Sequence, residues 1–87
     1  MPFRVLEVQP TPNPNAAKFV LDGSVSEGTI SFRHAEQARD HPLAAKLFAI
    51  EGVSGLMLLG DFITVTKLPN ADWKNITLRV RAVLGSA

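Results

Sequence analysis

Two prolines alternate with two asparagines in Thr11-Pro12-Asn13-Pro14-Asn15, directly ahead of an apolar run. Proline fixes φ and withholds its amide donor, so this stretch is neither helix nor central strand. Thr11 and Asn13, each preceding a proline, are pushed toward extended geometry. The product is a stiff connector that presents polar side chains. A segment already stiff loses little entropy when it binds, which suits a contact surface. Asn13 and Asn15 therefore carry two readings. They brace the strand entry through Asx-type bonds, or they face a partner.

The remaining pattern is that of a small α+β unit. Residues 3–8 are rich in β-formers and read as a strand ending before Pro10. Residues 17–21 read as a second strand, with Ala17, Phe19 and Leu21 on one face. Asp22-Gly23 is a turn signal, residues 24–28 read as loop, and residues 29–32 as a short extended piece suited to an edge. Residues 34–39 hold helix formers for one or two turns. A second helix starts at Pro42, capped by Asp40 or His41, with Leu43, Leu47 and Ile50 on one stripe that Ala44 and Phe48 widen. Gly52 stands where a left-handed residue closes that segment. Residues 53–59 and 62–67 are strands joined by the two-residue Gly60-Asp61 link. Asn70 or Asp72 caps a last helix whose apolar stripe is Trp73, Ile76, Val80, Val83 and Leu84. The expected order is ββααββα: a two-layer sandwich with a mainly antiparallel four-stranded sheet and helices on one face. Residues 1–87 are expected to form a single domain.

Chemistry is limited by what is missing from the sequence. There is no cysteine. Stability therefore rests on packing alone, and the thiolates that iron–sulfur clusters require are not supplied. His34, Glu36, Asp40 and His41 are the only clustered ligand types, and Pro42 interrupts the helix that would align them. No metal, cofactor or catalytic residue is expected. The serines lack a nucleophile-elbow context, and Gly52, Gly55 and Gly60 are too scattered for a phosphate loop. A net charge of +1 is too balanced to argue for nucleic acid by itself. Lys67, Lys74, Arg79 and Arg81 nevertheless supply the alternative, a small nucleic-acid- or regulator-binding domain using the basic C-terminal helix. Trp73 reads as a core anchor more readily than as an interface residue. The N-terminal residues hold no apolar core of signal-peptide length, and the most apolar piece, Leu56-Met57-Leu58-Leu59, is strand-sized. A cytoplasmic, membrane-free protein is expected, which makes the Asn75-Ile76-Thr77 sequon a chance match.

Several segments together resemble one family. Residues 11–19, Thr-Pro-Asn-Pro-Asn-Ala-Ala-Lys-Phe, resemble the opening motif of the N-terminal domain of Nfu-type, NifU-like iron–sulfur cluster scaffold proteins. So do Pro42-Leu43-Ala44 with Lys46-Leu47-Phe48, then Ile50-Glu51-Gly52-Val53, then Gly60-Asp61-Phe62-Ile63-Thr64-Val65-Thr66-Lys67, and Trp73 early in the last helix. The likeness runs from about residue 5 to the end, in the right order. In full-length members a second domain carries a Cys-x-x-Cys motif that holds the cluster, and this sequence has none. The resemblance thus implies a stand-alone or truncated N-terminal domain with an accessory role and no cluster ligands of its own. That role would be contact with iron–sulfur assembly or recipient proteins. Asn13, Asn15, Lys18, Asp61 and Phe62 are the residues expected to make the contact, across a surface joining the proline–asparagine loop to the Gly60-Asp61 turn.

Overall fold

A computed structural model describes residues 3–86; Met1, Pro2 and Ala87, which the 1–87 domain reading included, lie outside it. Five strands form one sheet: β1 (Val5–Pro10), β2 (Ala16–Leu21), β3 (Ser26–Phe32), β4 (Val53–Gly60) and β5 (Phe62–Lys67). Their spatial order is β1-β2-β5-β4-β3, and every pairing is antiparallel. Two α-helices accompany them, α1 (Pro42–Phe48) and α2 (Trp73–Gly85), with a 3₁₀ turn at Ala35–Ala38.

This corrects the expected four strands and the order ββααββα. The segment read as loop plus a short extended piece is a full edge strand. Ser26, Glu27 and Gly28 are poor β-formers, and the pairing to β4 is irregular there: Ser26 faces Gly60, and regular register resumes only at Ile30 opposite Leu58. A bulged edge strand carries little hydrophobic signal, because one side of it pairs with nothing. The helix expected over residues 34–39 is a single 3₁₀ turn. Gln37 Oε1 accepts from the backbone N–H groups of Arg33 and His34, closing it on itself. It cannot lengthen, because His41 precedes Pro42 and takes extended geometry, φ −114° and ψ 101°.

Alternation divides the sheet into two faces. Ala17, Phe19 and Leu21 of β2, Ile63 and Val65 of β5, and Leu56 and Leu58 of β4 share one face and are buried. Leu47 of α1 and Ile76, Val80 and Leu84 of α2 pack into the same core. The other face presents Lys18, Val20, Phe62, Thr64 and Met57. His41 caps α1 by accepting the Ala44 amide on Nδ1 at 3.2 Å, and Asp72 caps α2 by accepting the Lys74 amide at 3.1 Å. Gly60, at φ 58°, gives the β4–β5 link its positive first central residue, as a II′ hairpin requires.

A proline-walled cleft closed by Trp73

The loop between β1 and β2 is knitted first by its own side chains. Asn13 Oδ1 accepts the Asn15 amide at 2.9 Å, an Asx turn. Asn13 O accepts the Ala16 amide at 3.0 Å. The Thr11 hydroxyl accepts the Asn13 amide at 3.2 Å and lies 2.9 Å from Asn13 O and 3.0 Å from Ala16 O, either of which takes its proton. Three longer ties then fix this loop to the far end of the chain. Asn15 O accepts the Lys67 amide at 2.7 Å, Asn15 Oδ1 accepts from Lys67 Nζ at 3.1 Å, and Pro14 O accepts the Trp73 indole N–H at 3.0 Å.

Lys67 is the anchor of this arrangement. The alternation Ile63, Val65, Lys67 carries it to the core face, and it is only 8% exposed. Its ammonium has three donors, and the three acceptors within reach are Asn15 Oδ1, Leu68 O at 3.2 Å and Pro69 O at 3.3 Å. The Trp73 ring stands 5.9 Å away, in cation–π range. A buried charge held by neutral acceptors is stable only where every donor is satisfied. That condition forces the loop, the β5 end and the start of α2 to keep one geometry.

Between them lies an open cleft of about 370 Å³. Its walls include Val8 and Pro10 from β1, Pro14 from the loop, Ala17 from β2, and Trp73 and Thr77 from α2. Trp73 is half-buried, its ring tilted against Phe19 with centroids 6.5 Å apart. Asn13 is exposed at the rim; its oxygen is committed to the loop, and its amide nitrogen remains as a donor. An apolar recess with an aromatic wall and a few polar groups at the mouth can accept an apolar side chain and fix its approach.

The expected contact residues do not converge. Asn13 and Asn15 belong to the cleft and its brace. Lys18 and Phe62 lie on the other face of the sheet, where Lys18 Nζ stands 4.1 Å from the Phe62 ring centroid. Asp61 is exposed in the β4–β5 turn, its carbonyl accepting the Leu21 amide at 2.7 Å. Five residue steps of β5 separate Phe62 from Lys67, about 17 Å. Lys67 also leaves the set of four cations expected to line the last helix, since it is buried. Sequence reasoning missed Lys67, Val8, Pro10 and Thr77. For Lys67 the signal was there, in the period-2 pattern of β5.

Among the described residues no group of three or more His, Cys, Asp or Glu side chains comes together to hold a metal ion. The His41 Nδ1 is occupied as the helix cap. No helix among the described residues is long and apolar enough to cross a membrane.

Comparison with known proteins adds what geometry alone does not supply. A family model described as the N-terminal region of the scaffold protein Nfu/NifU matches residues 6–87. A Drosophila simulans protein, the mitochondrial NFU1 iron-sulfur cluster scaffold homolog, is 40% identical over 81 residues. The match covers 91% of this chain and 29% of that protein, so the chain spans under a third of its relative's length. A NifU-like protein from Saccharomyces cerevisiae superposes with a TM-score of 0.79 at 25% identity, over 92% of this chain and 74% of that one. The Staphylococcus aureus protein SAV1430 shares the fold, with a TM-score of 0.76 at 23% identity, over 92% and 96% of the two chains.

Proposed function

This chain belongs to the Nfu/NifU scaffold N-terminal family, and from that premise we propose that it is a non-catalytic docking module for iron–sulfur assembly or recipient proteins. The observation that carries this reading is the pre-ordered cleft beside the proline–asparagine loop. Its walls are set by three long-range hydrogen bonds, so a partner meets a surface whose ordering entropy is already spent. Asn13 supplies the polar contact at the rim, and Trp73 the apolar one within. Asn15 acts through the brace. Lys18 and Phe62 form a separate patch on the open sheet face, and Asp61 borders it at the turn.

These residues supply no thiolate, so the proposed role of this domain is contact and not cluster ligation. The alternative of nucleic-acid binding through the last helix is weakened by the burial of Lys67, which leaves Lys74, Arg79 and Arg81 on that element. The relatives' names include a mitochondrial location; the cytoplasmic expectation rests on the sequence reading alone.

An NMR titration of the ¹⁵N-labelled protein against cluster-loaded scaffold and recipient proteins tests the proposal. The Trp73 indole and the Val8 and Ala17 amides should shift together. Asn13→Asp keeps the Oδ1 acceptor of the Asx turn and removes only the exposed amide donor; it should weaken binding about tenfold, about 1.4 kcal/mol, while leaving the melting temperature within a degree or two. No shift at the cleft with any of these proteins would refute the reading.

A further inference from the structure

A second recess lies on the other side of α2. Lys46 of α1 and Ala49, Ile50 and Glu51 of the turn that follows it, with Arg79, Ala82 and Val83 from α2, enclose an open groove of about 450 Å³. Ile50 is buried and Val83 half-buried, so the floor is apolar, and the small exposed side chains Ala49 and Ala82 leave room on either wall. Each helix contributes one exposed cation, Lys46 and Arg79, and Glu51 is the one anion lining the groove. The charge imbalance extends over α2, which carries Lys74, Arg79 and Arg81 and no acidic residue from Trp73 to Gly85. Leu78, on the outward side of α2, is 64% exposed.

We infer that the α1–α2 groove receives an acidic amphipathic helix of a partner protein. Charge complementarity selects the occupant's sign, and the apolar floor selects its character. A phosphate backbone would pair with Lys46 and Arg79 and leave Ala49, Ala82 and Val83 facing water. A helix with carboxylates flanking a leucine stripe satisfies both, in the helix-in-groove manner. α1 has seven residues and is about 10 Å long, so the groove holds about two turns of such a helix. The groove is separate from the Trp73 cleft and does not depend on that cleft being occupied.

The probe is a synthetic peptide of about 15 residues, long enough to be helical, with leucines at i, i+3, i+4 and i+7 among glutamates. The control replaces each glutamate by lysine. Amide shifts at Ala49, Ala82 and Val83 are expected with the acidic peptide, weakening about tenfold when Lys46→Glu and Arg79→Glu are combined, and weakening with added salt. Ala82→Met fills the groove without reversing charge and should also reduce binding. The inference is overturned by any of three results: equal binding of the lysine control, shifts confined to the Trp73 cleft or absent altogether, or tighter binding of duplex DNA or anionic vesicles at the same residues. The Trp73 indole and the Val8 and Ala17 amides report the cleft independently, so a failure here is distinguishable from a failure of the docking role.

Discussion

Removing Asn15 should cost more than its place in an exposed loop suggests, because it strips one acceptor from a buried charge. Asn15 Oδ1 is the acceptor that reaches Lys67 from across the sheet, 52 residues away in sequence. The other two are carbonyls of the residues that follow Lys67. A hydrogen bond to a charged group contributes about 1.5–3 kcal/mol, and an ammonium only 8% exposed recovers little of that from water. Asn15→Ala should therefore destabilise by about 2 kcal/mol, lowering Tm by about 10 °C in a chain of this size. Lys67→Met keeps the length of the stem and removes the charge. It leaves the half-buried Asn15 amide to find water, at about 1 kcal/mol. In the double variant neither partner of the Asn15–Lys67 bond is left orphaned, while the loss at the Leu68 and Pro69 carbonyls is common to Lys67→Met and the double variant and cancels, so the two losses should not add. A coupling of about 1–2 kcal/mol is expected, measured by urea unfolding followed through the emission of Trp73, the one tryptophan of the chain. Additivity to within about 0.5 kcal/mol would refute the claim that Lys67 and Asn15 form one unit.

Two glycines separate steric from conformational cost. Gly52→Ala should destabilise by more than about 2 kcal/mol, since a Cβ there meets the Ala71 Cβ at 2.7 Å and φ is +96°; Gly60→Ala, at φ +58° with open space around it, should cost about 1 kcal/mol, and thermal melts of both variants check the ranking. Trp73→Phe keeps an aromatic ring against Phe19 but removes the indole donor to Pro14 O, so it should cost about 1 kcal/mol and speed hydrogen exchange at the Ala16 amide; unchanged exchange would mean the loop holds itself.

The parts of the fold legible in the sequence are those where local chemistry and tertiary packing agree. Phe62–Lys67 is β-branched or aromatic at most positions and is a central strand; His41 and Asp72 stand as caps before their helices; Gly52 has the positive φ its place required. β3 was not legible, because an edge strand has one neighbour and tolerates the serines, glutamate and glycine that break the pattern. The 3₁₀ turn was misread because Ala35, Glu36, Gln37 and Ala38 favour helix, and only the restriction imposed by Pro42 on His41 stops it short. At the site, the proline–asparagine loop was recognised, but not its ties to Lys67 and Trp73. Those ties join residues 52 and 59 positions apart, and no local pattern encodes such a separation.

The split of the expected contact residues follows from the same geometry. Ala17 and Lys18 are adjacent in sequence, yet strand alternation sends Ala17 into the wall of the cleft and Lys18 to the opposite face of the sheet. A contact motif read along the chain therefore mixes two surfaces that no rigid partner reaches from one side. The two asparagines divide in turn. Asn15 spends its oxygen on a buried ammonium, and Asn13 spends its own on the Asn15 amide while standing exposed at the rim. Under the proposed docking role, bracing and contact do not compete in the loop: the inner asparagine holds the geometry that the outer one would present. If so, substitutions at Asn15 act on affinity through stability and loop order, whereas Asn13→Asp, which keeps the Oδ1 acceptor and removes the rim donor, acts on affinity alone.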